Sequence, residues 1–317
     1  MPRGSLDFGS IRGLRVGQAE TPTRTSGVTV VLFDAPAPTV VDVRGGASAT
    51  YDTASLALDA TFGRRWAVFF AGGSLYGLDA ARGVRTRILE TGGGHRAFRN
   101  PNMVVPISGA ALFDLPTVLG PIPDYLSLGY EAARRARRGP VTIGRVGAGA
   151  GATVGKYLGR HRAMRGGLGA AASRFGRGRV GVLVAVNSVG AVRDPATGTW
   201  VAGARGPKGT VVPPHARALG VDRTAGTTLS LVATDLAVDR PNLARVAAMV
   251  QTGLAAAIAP FHSSVDGDVL FAVSTGAASD PPPGLRPGET ADRLGARAAE
   301  LAVDAVLVAV AAAPDGP

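Results

Sequence analysis

The feature that most constrains the fold is a change of pattern at residue 227. Residues 191–226 contain DPATGTW and GPKGTVVPP and show no sustained hydrophobic period, which predicts an irregular segment. Residues 228–234 and 269–274 then have the composition of buried strands, and each is followed by an apolar stretch with helical spacing. A strand–helix–strand–helix order after residue 226 predicts an α/β domain built from packed layers.

The rest of the chain supplies further strands and helices of the same domain. We find no fixed-period repeat and no linker that would divide it. One predicted helix is opened by Asp239 and Pro241 and presents an apolar face from Leu243 to Ile258. The other predictions are strands at 28–33, 40–43 (separated by the turn former APAP), 67–70 and 180–186, and helices at Leu75 to about Leu89, Tyr125 to Arg138 and about Glu289 to Ala312.

Composition removes several classes of chemistry. The chain has no cysteine, which excludes disulfides, thiolate zinc sites and a cysteine nucleophile. Its four histidines show no pair at metal-ligand spacing. We therefore expect no metal and no cofactor.

The net charge of +11 is unevenly distributed, because residues 227–317 carry five arginines against ten acidic residues. The basic stretches lack interleaved aromatic residues, so we expect no nucleic-acid partner. No run of 18 uncharged apolar residues and no signal sequence are present, and a cytoplasmic protein without a membrane span is the expectation. Only two of the basic residues are lysines, Lys156 and Lys208. The pKa of a lysine amine, unlike that of an arginine guanidinium, can shift far enough for the group to take part in chemistry at neutral pH.

Familiar catalytic motifs are incomplete. GAGAGATVGK at 147–156 lacks the glycine spacing and the Ser/Thr of a phosphate loop. A nucleophile elbow at Ser74 fails because Tyr76 stands where a glycine is needed. Thr153 and Lys156 have the spacing of a Ser/Lys hydrolase pair, but its companion motifs are absent.

Gly226 and Thr227 stand at the junction between the irregular segment and a buried strand. A threonine hydroxyl can attack the preceding carbonyl only if that peptide is unhindered, and glycine gives such access. Once the bond is cut, the free α-amine of Thr227, a group whose ordinary pKa is about 7.7–8.0, can act as the base for its own hydroxyl. The same Gly-Thr-Thr sequence is also an ordinary entry from a turn into a strand.

Nine segments spread along nearly the whole chain carry a family resemblance: 11–17, 27–32, 41–47, 71–78, 104–115, 144–156, 181–190, 226–235 and 260–276. In this order they resemble the L-aminopeptidase/D-amidase-esterase family, which includes β-peptidyl aminopeptidases and nylon-oligomer hydrolases. This resemblance implies an αββα sandwich, self-cleavage into residues 1–226 and 227–317, and assembly into a homo-oligomer of tetramer size or larger. Many relatives carry asparagine where this chain has Gly226.

The resemblance also implies roles for individual residues. Thr227 would be the nucleophile, and Lys156 would lower the pKa of its amine. Asn187 would stabilise the oxyanion, with Tyr76 as a second donor. Asp266 and Asp268 would orient the threonine and the lysine. Each of these residues also has an ordinary structural interpretation. Lys156 could lie on the surface, Asn187 and residues 266–268 could form turns, and Tyr76 could be a core aromatic.

Three hypotheses follow from the sequence. The first is an N-terminal-threonine amidohydrolase, an aminopeptidase or amidase acting on a small peptide or other amide. The second is an acyltransferase of similar fold, and the third is an uncleaved, basic binding protein. The sequence does not choose among α-peptides, β-peptides, D-residues and synthetic amides.

Overall fold

The computed structural model describes residues 6–96, 103–118, 120–215, 225–279 and 286–313. The α-helices in these ranges are α1 (Ala80–Glu90), α2 (Tyr125–Arg134), α3 (Arg240–Ala257) and α4 (Pro287–Ala311). The strands there are β1 (Leu14–Glu20), β2 (Gly27–Val43), β3 (Ala49–Tyr51), β4 (Arg64–Ala71), β5 (His95–Arg96), β6 (Met103–Val104), β7 (Ile107–Ala111), β8 (Thr153–Val154), β9 (Met164–Arg165), β10 (Gly167–Phe175), β11 (Gly178–Asn187), β12 (Ala191–Arg193), β13 (Trp200–Ala202), β14 (Ala204–Arg205), β15 (Val211–Val212), β16 (Thr227–Leu236), β17 (Ile258–Ala259) and β18 (Val269–Ser279).

The main strands form two sheets that share the long strand β2. The strand order is β10-β11-β16-β18-β2-β4-β7-β3, and β1 also pairs with β2. Residues 39–43 of β2 pair with β18, whereas residues 28–32 pair with β1 and β4. The register shifts between Leu32 and Ala37, so β2 leaves one sheet and enters the other at this corner.

The two sheets pack face to face and are covered by helices on their outer sides. Leu183, Leu231 and Phe271 of one sheet share a buried core with Phe70 of the other, and the rings of Phe70 and Phe271 lie 6.4 Å apart. Alternate residues of β11, such as Val184, face α3 and α4 in a second core. Helices α1 and α2 cover the other sheet in a third core. The order helices–sheet–sheet–helices confirms the predicted αββα sandwich.

The long predicted elements are confirmed, with shifted ends. Helix α3 begins after Asp239, whose side chain accepts a hydrogen bond from the N–H of Asn242. Helix α2 ends at Arg134 rather than Arg138, and the first helix is a 3-10 helix, Ser74–Asp79, that continues into α1. No helix in the described ranges has the length and apolar character needed to span a bilayer.

Two expectations for the loops and turns are wrong. The APAP segment does not separate two strands, because its prolines lie where β2 changes sheets. The segment expected to be irregular contains the short strands β12 to β15. Its residues 216–224 lie outside the described ranges.

Candidate active site

Three strand ends meet at Thr227. Strands β16 and β18 run parallel, which places residues 226–228 beside residues 266–268. Strand β11 runs antiparallel to β16 and ends opposite it, with Asn187 paired to Thr227. The first residue of β16 therefore lies between the end of β11 and the turn before β18.

The hydroxyl of Thr227 lies against the peptide bond that would have to be cut. Its Oγ1 donates a hydrogen bond to the carbonyl oxygen of Gly226. Thr227 is buried, at 3% exposure. A Cβ at position 226 would collide with Oδ1 of Asp266 and with the backbone N of Val189. Glycine at position 226 is thus required by close packing in this chain.

Lys156 is buried beside the strand that pairs with Thr227, so the surface-lysine alternative is wrong. Its Nζ donates to the carbonyl oxygens of Thr153 at 2.8 Å and Asn187 at 2.7 Å, and to Oδ1 of Asn187 at 3.0 Å. A longer contact of 3.3 Å reaches the carbonyl oxygen of Ser188. Desolvation lowers the pKa of Lys156 to about 7, against the opposing attraction of Asp266, Asp114 and Asp268.

The side chain of Asn187 joins several backbone segments. Its Oδ1 accepts from the N–H of Thr153 at 2.9 Å as well as from Lys156, and its Nδ2 donates to the carbonyl oxygen of Phe113 at 2.9 Å. One amide hydrogen is therefore bonded to the main chain. The oxyanion role expected for Asn187 stays a prediction.

Two buried carboxylates hold the backbone around Thr227. Oδ1 of Asp268 accepts from the N–H of Thr228 at 2.7 Å, and Oδ1 of Asp266 accepts from the N–H of Val189 at 3.1 Å. Burial and the neighbouring charge of Asp268 raise the pKa of Asp266. The turn itself spans residues 263–266, where the N–H of Asp266 donates to the carbonyl oxygen of Ser263 at 3.1 Å, so residues 266–268 lie at its end and lead into β18. There the two carboxylates position the strand ends on both sides of Thr227.

Tyr76 is not brought into the buried cluster. It lies in the 3-10 helix Ser74–Asp79 with 52% of its surface exposed, so the alternative of a core aromatic is wrong too. Its segment is nevertheless anchored near the site, because Oδ1 of Asp114 accepts from the N–H of Gly73 at 2.6 Å. A role of Tyr76 in oxyanion binding stays a prediction.

Asp114 and His262 were not singled out by the sequence. Asp114 is buried, burial raises its pKa to about 6, and it acts electrostatically on Lys156. The backbone N–H of His262 donates to Oδ2 of Asp268 at 3.0 Å, and the ring Nδ1 of His262 lies 2.9 Å from the same oxygen. The position of Asp114 just beyond a buried strand was the available signal. For His262, the only signal in the sequence was its closeness to Asp268.

The arrangement provides a buried hydroxyl, an amine that can change protonation near neutral pH and carboxylates that fix the backbone. Such a set suits nucleophilic attack on an amide carbonyl. In the described ranges, no group of three or more His, Asp or Glu side chains is placed to hold a metal ion.

Solved structures that superpose on this chain include two named aminopeptidases. A Burkholderia sp. beta-aminopeptidase superposes with a TM-score of 0.69 at 19% identity, covering 100% of this chain and 90% of that one. The L-aminopeptidase D-Ala-esterase/amidase of Ochrobactrum anthropi, described as a variant of the Ntn-hydrolase fold, gives a TM-score of 0.65 at 20% identity, covering 97% and 85%. The molecule is thus an α/β protein with this variant of the Ntn-hydrolase fold.

Sequence comparison defines the family. Residues 9–316 match peptidase family S58, and the chain belongs to that family. It is 37% identical over 305 residues to an uncharacterized aminopeptidase of Mycobacterium tuberculosis, covering 90% of this chain and 85% of the relative. It is 33% identical over 316 residues to the 6-aminohexanoate-oligomer endohydrolase of Agromyces sp., covering 94% and 84%. The protein is therefore an enzyme of an aminopeptidase and amidohydrolase family that hydrolyses amide bonds.

Proposed function

We propose that this enzyme cuts its own Gly226–Thr227 bond and then uses Thr227 as an N-terminal nucleophile. The observation that carries the proposal is the hydroxyl of Thr227 resting on the carbonyl of Gly226, inside a buried cluster with Lys156 and Asp266. A buried strand begins at Thr227, so a new amine created there would stay fixed beside the hydroxyl.

The resulting pieces would be residues 1–226 and 227–317. Strands β16 and β18 of the second piece lie between β11 and β2 of the first, with hydrogen bonds on both sides. The two pieces share one sheet and its cores, so cleavage would leave them associated. This arrangement supports processing as a maturation step rather than as degradation.

In the mature enzyme, the α-amine of Thr227 would accept the proton of the hydroxyl as Oγ1 attacks the substrate carbonyl. The bond to the leaving amine breaks, that amine takes the proton, and an acyl ester remains on Thr227. Water then hydrolyses the ester. When protonated, Lys156 lowers the pKa of the Thr227 amine and so keeps that amine available as a base.

We propose a small peptide or another linear amide as the substrate. The named relatives are aminopeptidases and a hydrolase of 6-aminohexanoate oligomers, which are linear amides. A panel of aminoacyl anilides with α-, β- and D-residues, together with a 6-aminohexanoate oligomer, would identify the preferred class.

Purified protein is expected to separate on a denaturing gel into pieces of 226 and 91 residues, the lengths on either side of the proposed cut. The Thr227→Ala variant should remain one band, because it lacks the attacking hydroxyl. Thr227→Ser, which keeps a hydroxyl, is the matched control and should still be cut. Mass spectrometry should find a new N-terminus that begins Thr-Thr-Leu-Ser.

A wild-type chain that stays in one piece, yet hydrolyses an anilide, would contradict the proposal. Acyl transfer is tested in the same assay by adding a free amine acceptor. Hydrolysis predicts free acid as the product with and without the acceptor, whereas a new amide would indicate a transferase.

We further propose that the paired pieces assemble into a homo-oligomer of tetramer size or larger in the cytoplasm. Native mass spectrometry of the purified protein would give the number of copies directly. A mass corresponding to one 32.0 kDa chain would contradict this assembly.

A further inference from the structure

The carbonyl of Gly226 is held by the turn before β18. The backbone N–H of Gly267 donates to this carbonyl oxygen at 3.0 Å, and the N–H of Gly226 donates to the carbonyl oxygen of Val265 at 3.1 Å. The peptide that precedes Thr227 is therefore bonded on both sides to one short segment. An N–H at this distance is placed to stabilise negative charge on the oxygen it contacts.

Negative charge on the Gly226 oxygen needs such a donor, because the surroundings oppose it. Asp266 and Asp268 are buried next to the same peptide. The Nζ bonds of Lys156 described above go to oxygens of Thr153, Asn187 and Ser188. Among these neighbours, the N–H of Gly267 is the backbone donor that contacts the carbonyl to be cleaved.

The loop that follows β2 holds the turn in place. The N–H of Ala47 donates to the carbonyl oxygen of Asp266 at 2.9 Å. The backbone N–H groups of Arg44 and Gly45 donate to the carbonyl oxygen of Asp268, at 3.1 and 3.2 Å. The carbonyls on either side of Gly267 are thus fixed, and its N–H is oriented before any reaction begins. A donor that needs no rearrangement contributes most to a transition state.

Gly267 also leaves room for the nucleophile. A Cβ at this position would lie 2.9 Å from Oγ1 of Thr227 and 2.9 Å from the carbonyl oxygen of Ala47. A side chain here would push against the attacking hydroxyl or against the loop that holds the turn. The hydroxyl, the carbonyl of Gly226 and the N–H of Gly267 therefore meet in one small space.

We propose that the backbone N–H of Gly267 is the oxyanion donor for cleavage of the Gly226–Thr227 bond, an inference that rests on the proposed self-cleavage. Oγ1 of Thr227 forms a bond to the carbonyl carbon of Gly226, and the carbonyl oxygen gains negative charge next to this N–H. The carbon–nitrogen bond then breaks, and the hydroxyl proton passes to the leaving nitrogen, which becomes the amine of Thr227. Water hydrolyses the ester and releases the carboxylate of Gly226.

The test removes the N–H and keeps the shape of the residue. Cell-free translation with a suppressor tRNA charged with glycolic acid places an ester at position 267. Radiolabelled chain is followed on a denaturing gel over time. Loss of one oxyanion donor slows a reaction by roughly 10²–10³-fold, and we expect processing to slow by about 10²-fold.

A glycolic acid at position 198 is the matched control. The N–H of Gly198 donates to the carbonyl oxygen of Asp194 at 2.8 Å in an exposed turn, so its removal also deletes one backbone hydrogen bond. Processing of this control should match that of the unmodified chain. If the ester at position 267 is processed at the rate of this control, the proposal is overturned.

A second measurement separates a role in processing from a structural one. The two pieces, residues 1–226 and 227–317, are produced together as separate chains, so that no processing is needed. Residues 227–317 are released from a cleavable tag so that Thr227 comes first. They carry either the normal peptide bond or the ester at position 267. The proposal expects anilide hydrolysis by the two forms to agree within about threefold. An equal loss in processing and hydrolysis would assign the N–H to holding the site together and overturn the proposal. An unmodified chain that is never cut would instead overturn the proposed function itself.

Discussion

At the scale of single residues, Lys156 combines two opposing influences. Several oxygen acceptors surround its Nζ, an arrangement that suits an ammonium group with three protons. Burial disfavours that charge and lowers the pKa to about 7, although Asp266, Asp114 and Asp268 favour it. The charge of this residue therefore changes close to neutral pH, where the Thr227 amine must act as a base.

Replacing Lys156 by methionine should move the acidic limb of the pH profile for kcat/KM to higher pH. The variant lacks the positive charge that lowers the pKa of the Thr227 amine, so this amine loses its proton only in more alkaline solution. The measurement uses residues 1–226 and residues 227–317 produced together as two chains, which makes it independent of processing.

Lys208→Met is the control for that experiment, because it removes the other lysine in the sequence. Its profile should coincide with that of the wild type. An unchanged acidic limb in Lys156→Met would show that the charge of Lys156 does not act on the amine.

At the scale of elements, the sequence specified best the long apolar segments. The apolar face of α3 was predicted from its helical spacing. Strands β11 and β16 were predicted from continuous apolar runs, and they are buried on both faces, as such runs indicate. Strand β2 was divided wrongly. Prolines usually end a strand, but at Pro36 and Pro38 the strand passes between two sheets and tolerates missing donors.

For the site, the sequence indicated which residues take part but not all of the contacts between them. The positions of Thr227, Lys156, Asn187 and the two aspartates came from a family resemblance, and several of their contacts could not be found that way. The contact between His262 and Asp268 depends on a turn whose φ at His262 is +63°, a conformation that no periodicity indicates. The contact between Gly267 and Gly226 likewise depends on the register of two parallel strands that are far apart in sequence.

Gly253 in α3 sets how closely the two outer helices approach each other. A Cβ there would collide with the carbonyl oxygen of Ala299 in α4. Gly253→Ala should therefore lower the free energy of unfolding by about 1–3 kcal/mol, although alanine is intrinsically the better helix former. Urea unfolding of the variant in the Thr227→Ala background, which keeps one chain, would measure it.

Gly288→Ala is the control for this helix contact. Position 288 also lies in α4, and nothing stands within 4 Å of a Cβ placed there. This variant should unfold at or above the urea concentration of the parent. If Gly253→Ala were equally stable, the close approach of the helices would not depend on that glycine.

At the scale of the whole molecule, the αββα architecture buries several acidic side chains. Asp114, Asp266 and Asp268 are all buried, and Lys156 is the lysine buried with them. Burial raises the pKa of Asp114 to about 6, from the value of 3.8 that is ordinary for an aspartate. The stability of the entire fold is therefore linked to the protonation of this one carboxyl group.

The sign of this linkage follows from the number of protons bound. Between pH 3.8 and about 6 the folded protein keeps the proton of Asp114, whereas the unfolded chain releases it. The contribution of Asp114 to stability must then fall as pH rises through this window, and it stays low above about pH 6. An asparagine at the same position cannot ionise, so it does not lose stability in this way.

Asp114→Asn in the Thr227→Ala background should therefore gain stability relative to its parent as pH rises from about 4 to 6.5, by up to roughly 3 kcal/mol. Urea unfolding at steps of half a pH unit would give the difference curve. Asp59→Asn, at an exposed position, is the control and should give a flat curve in the same window. A flat curve for Asp114→Asn as well would mean that the folded protein tolerates the buried charge, with the N–H of Gly73 and the attraction of Lys156 offsetting its desolvation.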